Sequence, residues 1–320
     1  MDRGLLITAL AAFSVTAASL LAIIPALRRL KAGQRILEIG PAWHSKKQGT
    51  PTMGGISFIL SITVAAFTYA LLSDGIQPIV LSALVYVILN GAVGMLDDLV
   101  KLRRKQNEGL SAFSKFMLQL ILATAFTVFC SINGFIDTSV YIPFFRAEIE
   151  LGRAYYPIAL LFLTGFGNAV NLTDGLDGLC SSVSFVVLMF FALITSMQGN
   201  GLAMLSVAGA GICIGFLIYN RHPARVFMGD TGSLFLGALI SSVALLSQKG
   251  ALLFIVGGVY VLEAASVILQ VLYYKLTKKR LFLIAPYHHH LERKGMGEIT
   301  VTRIFVLASA LLSVIAYYLG

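Results

Sequence analysis

Long apolar stretches without Asp, Glu, Lys or Arg recur along most of the chain. They cover residues 4–27, 49–73, 75–96, 116–136, 154–173, 178–220, 231–248 and 304–320. A helix needs about 20 apolar residues to cross a bilayer, so each stretch predicts a transmembrane helix. The 178–220 stretch is long enough for two helices, and Gln198-Gly199-Asn200-Gly201 in its middle is typical of a turn. Residues 250–274, interrupted by Glu263, add another helix.

This pattern predicts an all-α polytopic integral membrane protein with ten transmembrane helices in one catalytic domain, 1–320. The apolar core of the first helix is about 24 residues long, whereas the core of a cleavable signal peptide is typically 7–15. We therefore expect this segment to remain as a membrane span. Around residues 137–153, alternating apolar and polar positions predict a short hairpin on the outer face.

The basic residues predict the orientation of these helices. If the N-terminus lies outside, the connectors near 28–48, 97–115, 171–177, 220–230 and 275–303 face the cytoplasm. All but four of the 24 Lys and Arg then lie inside, the exceptions being Arg3, Arg146, Arg153 and Lys249. Because positive residues are enriched in cytoplasmic loops, we expect both termini outside the cell.

The composition excludes several other classes of protein. Hydrophobic residues make up 58% of the chain and charged residues 12%, about half the 25% charged residues of a soluble domain. The mean hydropathy is +0.86. These values exclude a nucleic-acid reader, a disordered scaffold and a secreted disulfide-rich domain. The three cysteines lie in apolar runs and are typical of small buried side chains.

Most acidic residues and all five histidines fall in or beside the cytoplasmic connectors. They are Glu38, Asp97, Asp98, Glu108, Asp174, Asp177, Asp230, Glu292, Glu298, His44, His222, His288, His289 and His290. Ionisable groups at the membrane edge are costly and usually mark function. This distribution predicts a polar site that faces the cytoplasm at the ends of the helices.

The segment 49–55, Gly-Thr-Pro-Thr-Met-Gly-Gly, follows Lys46 and Lys47. Glycine backbone N–H groups at a helix start can cradle a phosphate, although a Gly/Pro entry turn is an equally simple interpretation. Further along, Asp97 and Asp98 precede four basic residues. This adjacent pair suits Mg²⁺ binding or proton abstraction, and the alternative is a solvated helix end.

Asn168, Asn171, Asp174 and Asp177 recur every three residues in a connector without Lys or Arg. Amides and carboxylates at this spacing can share a helix face and bind a polar ligand such as a nucleobase or ribose. A polar turn between two apolar helices is the simpler alternative.

Two further segments carry candidate chemistry. In 220–233, Asp230 could be a helix cap or a hard oxygen ligand for Mg²⁺, and Phe227 could stack on a base. In 286–292, three consecutive histidines could bind phosphate, move protons or lie in a solvated loop. Glu263, inside a span, is either a structural or a functional acid.

The candidate residues combine carboxylates that suit Mg²⁺ with basic groups, all at the membrane edge. This combination favours phosphoryl transfer between a water-soluble and a lipid substrate. The same segments, 49–55, 96–98, 171–178, 227–233 and 286–292, resemble the phospho-N-acetylmuramoyl-pentapeptide transferase family in composition and order. The His-His-His-Leu-Glu segment distinguishes that family from related hexosamine-phosphate transferases.

The resemblance implies Mg²⁺-dependent transfer of phospho-N-acetylmuramoyl-pentapeptide from its UDP conjugate to undecaprenyl phosphate, which yields lipid I and UMP. This reaction belongs to peptidoglycan synthesis in the bacterial cytoplasmic (inner) membrane. The resemblance also implies a homodimer in the lipid bilayer, with no nucleic-acid partner.

The resemblance further implies roles for individual residues. Asp230 would be the metal ligand, Asp97 and Asp98 the catalytic pair facing the lipid phosphate, and His289 a further catalytic group. The expected substrate-binding residues are Lys47, Thr52, Lys101, Lys115, Asn171, Asp174, Asp177, Asn220, Phe227, His288 and His290.

Three other functions compete with this one. A related polyprenyl-phosphate GlcNAc-1-phosphate transferase is the nearest. An intramembrane aspartyl protease would need two acids at depth and no metal. A cation-coupled transporter would place its acids at the bilayer midplane, where only Glu263 lies. Within the transferase hypothesis, Asp98 could attack phosphate covalently, but we favour direct attack by the lipid phosphate, which is largely ionised at neutral pH.

Overall fold

The computed structural model describes residues 2–30, 49–104, 106 and 108–320, and in these ranges the chain is mostly helical. The long helices are α1 Arg3–Arg29, α2 Ile56–Leu72, α3 Pro78–Arg104, α4 Ala112–Ile132, α5 Tyr155–Thr173, α6 Leu179–Ser196, α7 Ala203–Asn220, α8 Gly229–Leu246, α10 Gly258–Thr277 and α12 Glu298–Leu319. The short helices are α9 Gly250–Val256 and α11 Tyr287–Arg293.

Eight of the described helices are long and apolar enough to cross a membrane, namely α1, α3, α4, α6, α7, α8, α10 and α12. Helix α2 is apolar but only 17 residues long, and α5 is not among the eight. The protein is therefore a polytopic helical membrane protein. The count of ten spans and the position of the termini stay predictions.

Helix α8 lies at the centre of the bundle. Every residue from Thr231 to Leu246 is buried, as expected for a helix that is apolar all round. It packs mainly against α3 and α5 and also contacts α6 and α7. A Cβ on Gly94 of α3 would lie 2.1 Å from the carbonyl oxygen of Asp230, so a glycine is needed for α3 to approach the start of α8.

Two predictions about helix continuity have different outcomes. The Gln198–Gly201 turn is confirmed, because α6 ends at Ser196 and α7 begins at Ala203. The single helix expected over 250–274 is wrong, because helical structure is interrupted at Gly257 and resumes as α10. The apolar run does not reveal this break, because hydropathy reports how apolar a segment is and not whether its backbone is continuous.

The hairpin expected around 137–153 is confirmed. Strands β1 Ser139–Ile142 and β2 Ala147–Glu150 pair antiparallel, with Ser139 opposite Glu150 and Ile142 opposite Ala147. The Tyr141 hydroxyl donates to the carbonyl oxygen of Leu319. This contact holds the hairpin against the end of α12.

Candidate active site

Three carboxylates from two central helices meet at one end of the bundle. Asp97 and Asp98 lie in α3, which continues to Arg104, beyond the end of the apolar stretch 75–96. Asp230 is in the first turn of α8. One oxygen from each of the three lies within 4.8 Å of the others, close enough for all to ligate one metal ion.

Asp98 caps the beginning of α8. Its Oδ1 accepts from the backbone N–H of Asp230 at 3.2 Å, and its Oδ2 accepts from the backbone N–H and the hydroxyl of Thr231 at 3.0 and 2.7 Å. The first N–H groups of a helix have no partner within the helix, and the helix dipole favours a negative charge there. Asp98 therefore joins α3 to α8 with its charged group.

Asp230 is held by groups from three other helices. Its Oδ2 contacts Nζ of Lys115 at 2.8 Å and Nζ of Lys101 at 3.1 Å. Its Oδ1 accepts from the Asn171 amide at 3.0 Å, and that amide also donates to the Ser233 hydroxyl at 2.7 Å. Residues from α3, α4, α5 and α8 thus converge on one carboxylate.

Asp97 completes the cluster and contacts the same lysine, Lys101. Its Oδ2 is 2.7 Å from Nζ of Lys101, and its Oδ1 accepts from the backbone N–H of Leu110 at 2.9 Å. The side chain is almost fully buried, because the segment after α3 folds over it. Lys101 consequently touches all three carboxylates, since Asp98 Oδ1 lies 3.7 Å from its Nζ.

The donor set of this cluster fits Mg²⁺. Mg²⁺ prefers hard oxygen ligands and is usually bound by one or two carboxylates together with substrate phosphates. With all five groups ionised, the three carboxylates exceed the two lysine ammonium groups by one negative charge. A divalent cation would make the site net positive, which favours phosphate-bearing substrates.

The backbone of the glycine segment before α2 is bonded to the segment before α8. The N–H groups of Gly54 and Gly55 donate to the carbonyl oxygens of Phe227 and Met228, at 2.9 and 3.0 Å. The Phe227 N–H in turn donates to the Pro51 carbonyl oxygen at 2.8 Å. These two N–H groups are used within the protein, so of the two interpretations left open for this segment the entry turn fits them and the phosphate cradle does not.

The paired segments instead position the start of α8. Gly229 has a positive φ of 69°, and a Cβ there would lie 2.6 Å from Asp98 Oδ2 and 2.8 Å from Thr52 Oγ1. Thr52 and Phe227 are half-buried in the paired segments. This places Thr52 beside the carboxylate cluster, whereas Lys47 lies outside the described residues.

The connector after α5 carries a second group of ionisable residues. Asp177 Oδ2 is 3.1 Å from His222 Nδ1 and accepts from the Ala224 N–H at 2.9 Å. The Asp177 N–H donates to Glu298 Oε1 at 2.6 Å, and His222 Nδ1 lies 3.3 Å from Glu298 Oε2. Asp174, half-buried, directly follows Thr173, the last residue of α5.

The contributions of His222 and Glu298 to this group were missed from the sequence. The one hint in the sequence was that His222 lies in the same connector as Phe227, a predicted substrate-binding residue. Asp177, His222 and Glu298 could themselves hold a metal ion by their spacing.

Asn220 is buried at the end of α7. Its Oδ1 accepts from the Gly178 N–H at 3.1 Å, and its amide donates to the Val226 carbonyl oxygen at 2.9 Å. The side chain therefore ties the connectors on either side of α7 together. Its expected contact with substrate stays a prediction.

The three histidines lie in α11 and have different surroundings. His288 is fully buried and contacts Glu263. His289 Nδ1 lies 2.8 Å from Glu292 Oε2. His290 Nδ1 accepts from the Leu283 N–H at 3.2 Å. Burial and the nearby Lys294 lower the pKa of His290 below its ordinary value, so its neutral form is favoured.

Parts of the sequence match known protein families. Residues 80–248 match the model of glycosyl transferase family 4, and residues 47–59 match signature 1 of the phospho-N-acetylmuramoyl-pentapeptide transferases. A phospho-N-acetylmuramoyl-pentapeptide transferase from Clostridium kluyveri is 44% identical over 92% of this chain and 92% of its own length. A protein of the same name from Bacillus thuringiensis (strain Al Hakam) is 42% identical over 100% of this chain and 99% of its own length.

The chain belongs to the phospho-N-acetylmuramoyl-pentapeptide transferase family. The resemblance seen in the motifs is therefore confirmed, and the protein is a transferase of the membrane. This membership excludes the protease and transporter hypotheses. The signature at 47–59 covers the turn that pairs with Phe227 and Met228.

Proposed function

We propose that this transferase moves phospho-N-acetylmuramoyl-pentapeptide from its UDP conjugate to undecaprenyl phosphate, giving lipid I and UMP. The observation that carries the proposal is the cluster of Asp97, Asp98 and Asp230 with Lys101 and Lys115 between them. Two phosphate-bearing substrates repel one another, and a site with both lysines and metal-ligating carboxylates can reduce that repulsion. The relatives of the same name support the choice of substrates.

The proposal includes the arrangement in the membrane. The chain would form a single catalytic domain, 1–320, with ten spans, both termini outside and the carboxylate cluster facing the cytoplasm of a bacterial inner membrane. The distribution of Lys and Arg supports this orientation. A cytoplasmic site would admit the UDP conjugate from water and the polyprenyl phosphate from the bilayer. We also propose a homodimer.

Mg²⁺ would be held by Asp230 with help from Asp97 or Asp98. When bound, Mg²⁺ neutralises phosphate oxygens and polarises the phosphorus that is attacked. Lys115 and Lys101 contact the Asp230 oxygen, so they are positioned to move onto substrate phosphates when that oxygen ligates metal. The remaining chemistry depends on how the chain orients the two phosphates.

We favour a single displacement. An oxygen of the lipid phosphate attacks the β-phosphorus of the UDP conjugate, a new P–O bond forms, the bond to the α-phosphate oxygen breaks, and UMP leaves with that oxygen. Asp98 is unsuited to be a covalent nucleophile, because both of its oxygens accept hydrogen bonds from the start of α8. In this proposal Asp98 orients α8, and Asp97 orients Lys101, which together with Lys115 would hold the lipid phosphate.

The remaining residues divide between the two ends of the sugar nucleotide. Asn171, Asp174, Asp177 and Phe227 would line the uridine side, with Lys47, Thr52 and Asn220 nearby. His288, His289 and His290 would lie beside the diphosphate or sugar, with His289 in a catalytic role.

The test combines turnover with metal binding. Purified protein in lipid nanodiscs receives undecaprenyl phosphate and either UDP-N-acetylmuramoyl-pentapeptide or UDP-GlcNAc, and UMP release is measured with Mg²⁺ or EDTA. We expect Mg²⁺-dependent UMP release with the muramoyl substrate. Release with UDP-GlcNAc alone would favour the related GlcNAc-1-phosphate transferase instead.

Asp230→Asn tests the assigned metal ligand in the same preparation. We expect turnover to be abolished and Mn²⁺ binding, followed by electron paramagnetic resonance, to weaken without unfolding of the bundle. Asp74→Asn removes the same charge from an exposed position and serves as the matched control. Substantial turnover by Asp230→Asn would remove its metal role.

A further inference from the structure

Glu263 is a carboxylate within a membrane span and is fully buried. Its two oxygens both contact one residue of α11. Oε1 accepts from the backbone N–H of His288 at 3.1 Å, and Oε2 lies 2.9 Å from Nδ1 of the same residue. A buried carboxylate that is doubly bound to one histidine fixes both the backbone and the ring of that residue.

The other ring nitrogen of His288 faces the connector after α5. His288 is fully buried, and its Nε2 has no hydrogen-bond partner among the described residues. A Cβ on Gly175 would lie 2.1 Å from this nitrogen and 2.6 Å from Cε1. The imidazole therefore fills the space that a side chain at position 175 would occupy, between Asp174 and the 176–178 turn.

The protonation of the ring follows from its partners. A carboxylate accepts hydrogen bonds, so Nδ1 of His288 carries a proton and donates it to Glu263 Oε2. With Nδ1 bound in this way, Nε2 is the nitrogen that faces Gly175. Next to it, the His289 ring lies 4.1 Å away between centroids.

We propose that Glu263 is a positioning residue for the sugar-nucleotide side of the site. It holds His288 in one tautomer and one orientation, which sets His289 and the Gly175 connector relative to each other. The inference rests on the proposed function, because it assigns Asp174 and Asp177 to the nucleotide. Glu263 itself touches no substrate in this scheme.

Glu263→Gln alters the tautomer while keeping the shape of the side chain. The amide has one acceptor oxygen, which the backbone N–H of His288 already uses. Nδ1 then faces the amide NH₂ and becomes an acceptor, so the ring proton moves to Nε2. We expect a tenfold to hundredfold loss of kcat/KM for the UDP conjugate, roughly the effect of removing an outer hydrogen-bond partner of a functional histidine.

The KM for undecaprenyl phosphate is expected to stay within about twofold of wild type, since an outer partner acts only through its own histidine. Ser266→Ala is the matched control, because that hydroxyl bonds only within α10, to the Glu263 carbonyl oxygen. A fall in thermal stability with an equal rise of both KM values would assign Glu263 a merely structural role and overturn the proposal.

Gly175→Ala perturbs the same unit from the opposite side. The added methyl displaces the His288 ring, whereas Gly165→Ala has open space around its Cβ and controls for the substitution itself. We expect the Glu263→Gln and Gly175→Ala double variant to lose no more than the more severe single variant, since both act on one ring. Losses that multiply would show that the two residues act independently.

A measurement without substrate separates this proposal from the proposed function. ¹⁵N NMR of histidine-labelled protein reports which nitrogen of His288 carries the proton. We expect an Nδ1–H tautomer in wild type and Ser266→Ala, and an Nε2–H tautomer in Glu263→Gln. The same tautomer in all three would overturn the proposal, whereas absent lipid I synthesis by wild type would overturn only the proposed function.

Discussion

Asp98→Asn tests whether this carboxylate holds the two central helices together. Asp98 accepts three hydrogen bonds from Asp230 and Thr231 at the N-terminus of α8. The amide keeps one acceptor oxygen and presents an NH₂ group to at least one buried donor. Losing a charge-assisted bond costs about 1.5–3 kcal/mol and leaving a donor unpaired about 1–3 kcal/mol, so we expect a loss of about 3 kcal/mol.

Removing the charge of Asp98 has effects of both signs. The residue is only 3% exposed, so removing its charge relieves a desolvation cost and ends the repulsion from Asp97 and Asp230, whose oxygens lie within 4.8 Å. It also ends the attraction to Lys101 at 3.7 Å. The relief offsets part of the lost hydrogen bonds, so the expected loss stays near the low end of their summed cost, at about 3 kcal/mol.

The three buried cysteines provide the assay. Cys130, Cys180 and Cys213 become reactive to a thiol-specific fluorophore only when the bundle opens on heating. An unfolding entropy of about 2.1 cal/mol/K per residue over 320 residues converts a loss of about 3 kcal/mol into a midpoint lowered by roughly 4–5 °C. Asp74→Asn, an exposed site, is expected to leave the midpoint unchanged.

The outcome also separates two roles of Asp98. A covalent nucleophile would lose turnover on substitution while the melting midpoint stayed within about 1 °C of wild type. That result, or a phospho-sugar trapped on Asp98 without lipid, would refute the capping argument and the direct displacement. Thr231→Val removes only the hydroxyl bond and should cost about 1 kcal/mol.

Three further predictions follow from the site. Gly229→Ala combines a strained positive φ with a clash, so its midpoint should fall by several degrees more than that of Gly134→Ala, which has a positive φ of 68° and no described atom within 4 Å of its Cβ; equal shifts would contradict the clash. Lys115→Gln removes a positive charge 2.8 Å from Asp230, so Mn²⁺ should bind more tightly while kcat falls about tenfold; weaker Mn²⁺ binding would contradict this. Burial lowers the pKa of His290, so NMR should show this histidine titrating below 6.5. The folded protein should then lose stability as the pH falls through the lowered pKa of His290, because the unfolded chain binds the proton more readily. Titration above 6.5 would refute the assignment.

Much of the candidate site could be predicted because its residues lie in short, distinctive segments. Asp97, Asp98 and Asp230 were expected together, and they are together. Other questions stayed open because they depended on contacts between distant segments. The sequence could not decide between a phosphate cradle and an entry turn at Gly54 and Gly55, whose N–H groups bond to residues 227 and 228.

The partners of individual charges could not be predicted either. Glu263 gave no sign of its bond to His288, since the two lie 25 residues apart in different helices. His222 and Glu298, which contact Asp177, were likewise invisible as a group. The sequence offers each carboxylate several basic or polar residues as partners, and only the packing of the helices decides which of them it contacts.

The sequence by itself determined that this chain is a helical membrane protein and, through its ordered motifs, to which transferase family it belongs. Hydropathy is a local property that adds along the chain, so the apolar stretches could be found without knowing how they pack. Only the tertiary structure decided that Asp98 caps α8, that two lysines hold Asp230, and that Glu263 orients His288. Electrostatic and hydrogen-bond energies depend on distances of a few ångströms between segments, and those distances exist only after the helices have packed.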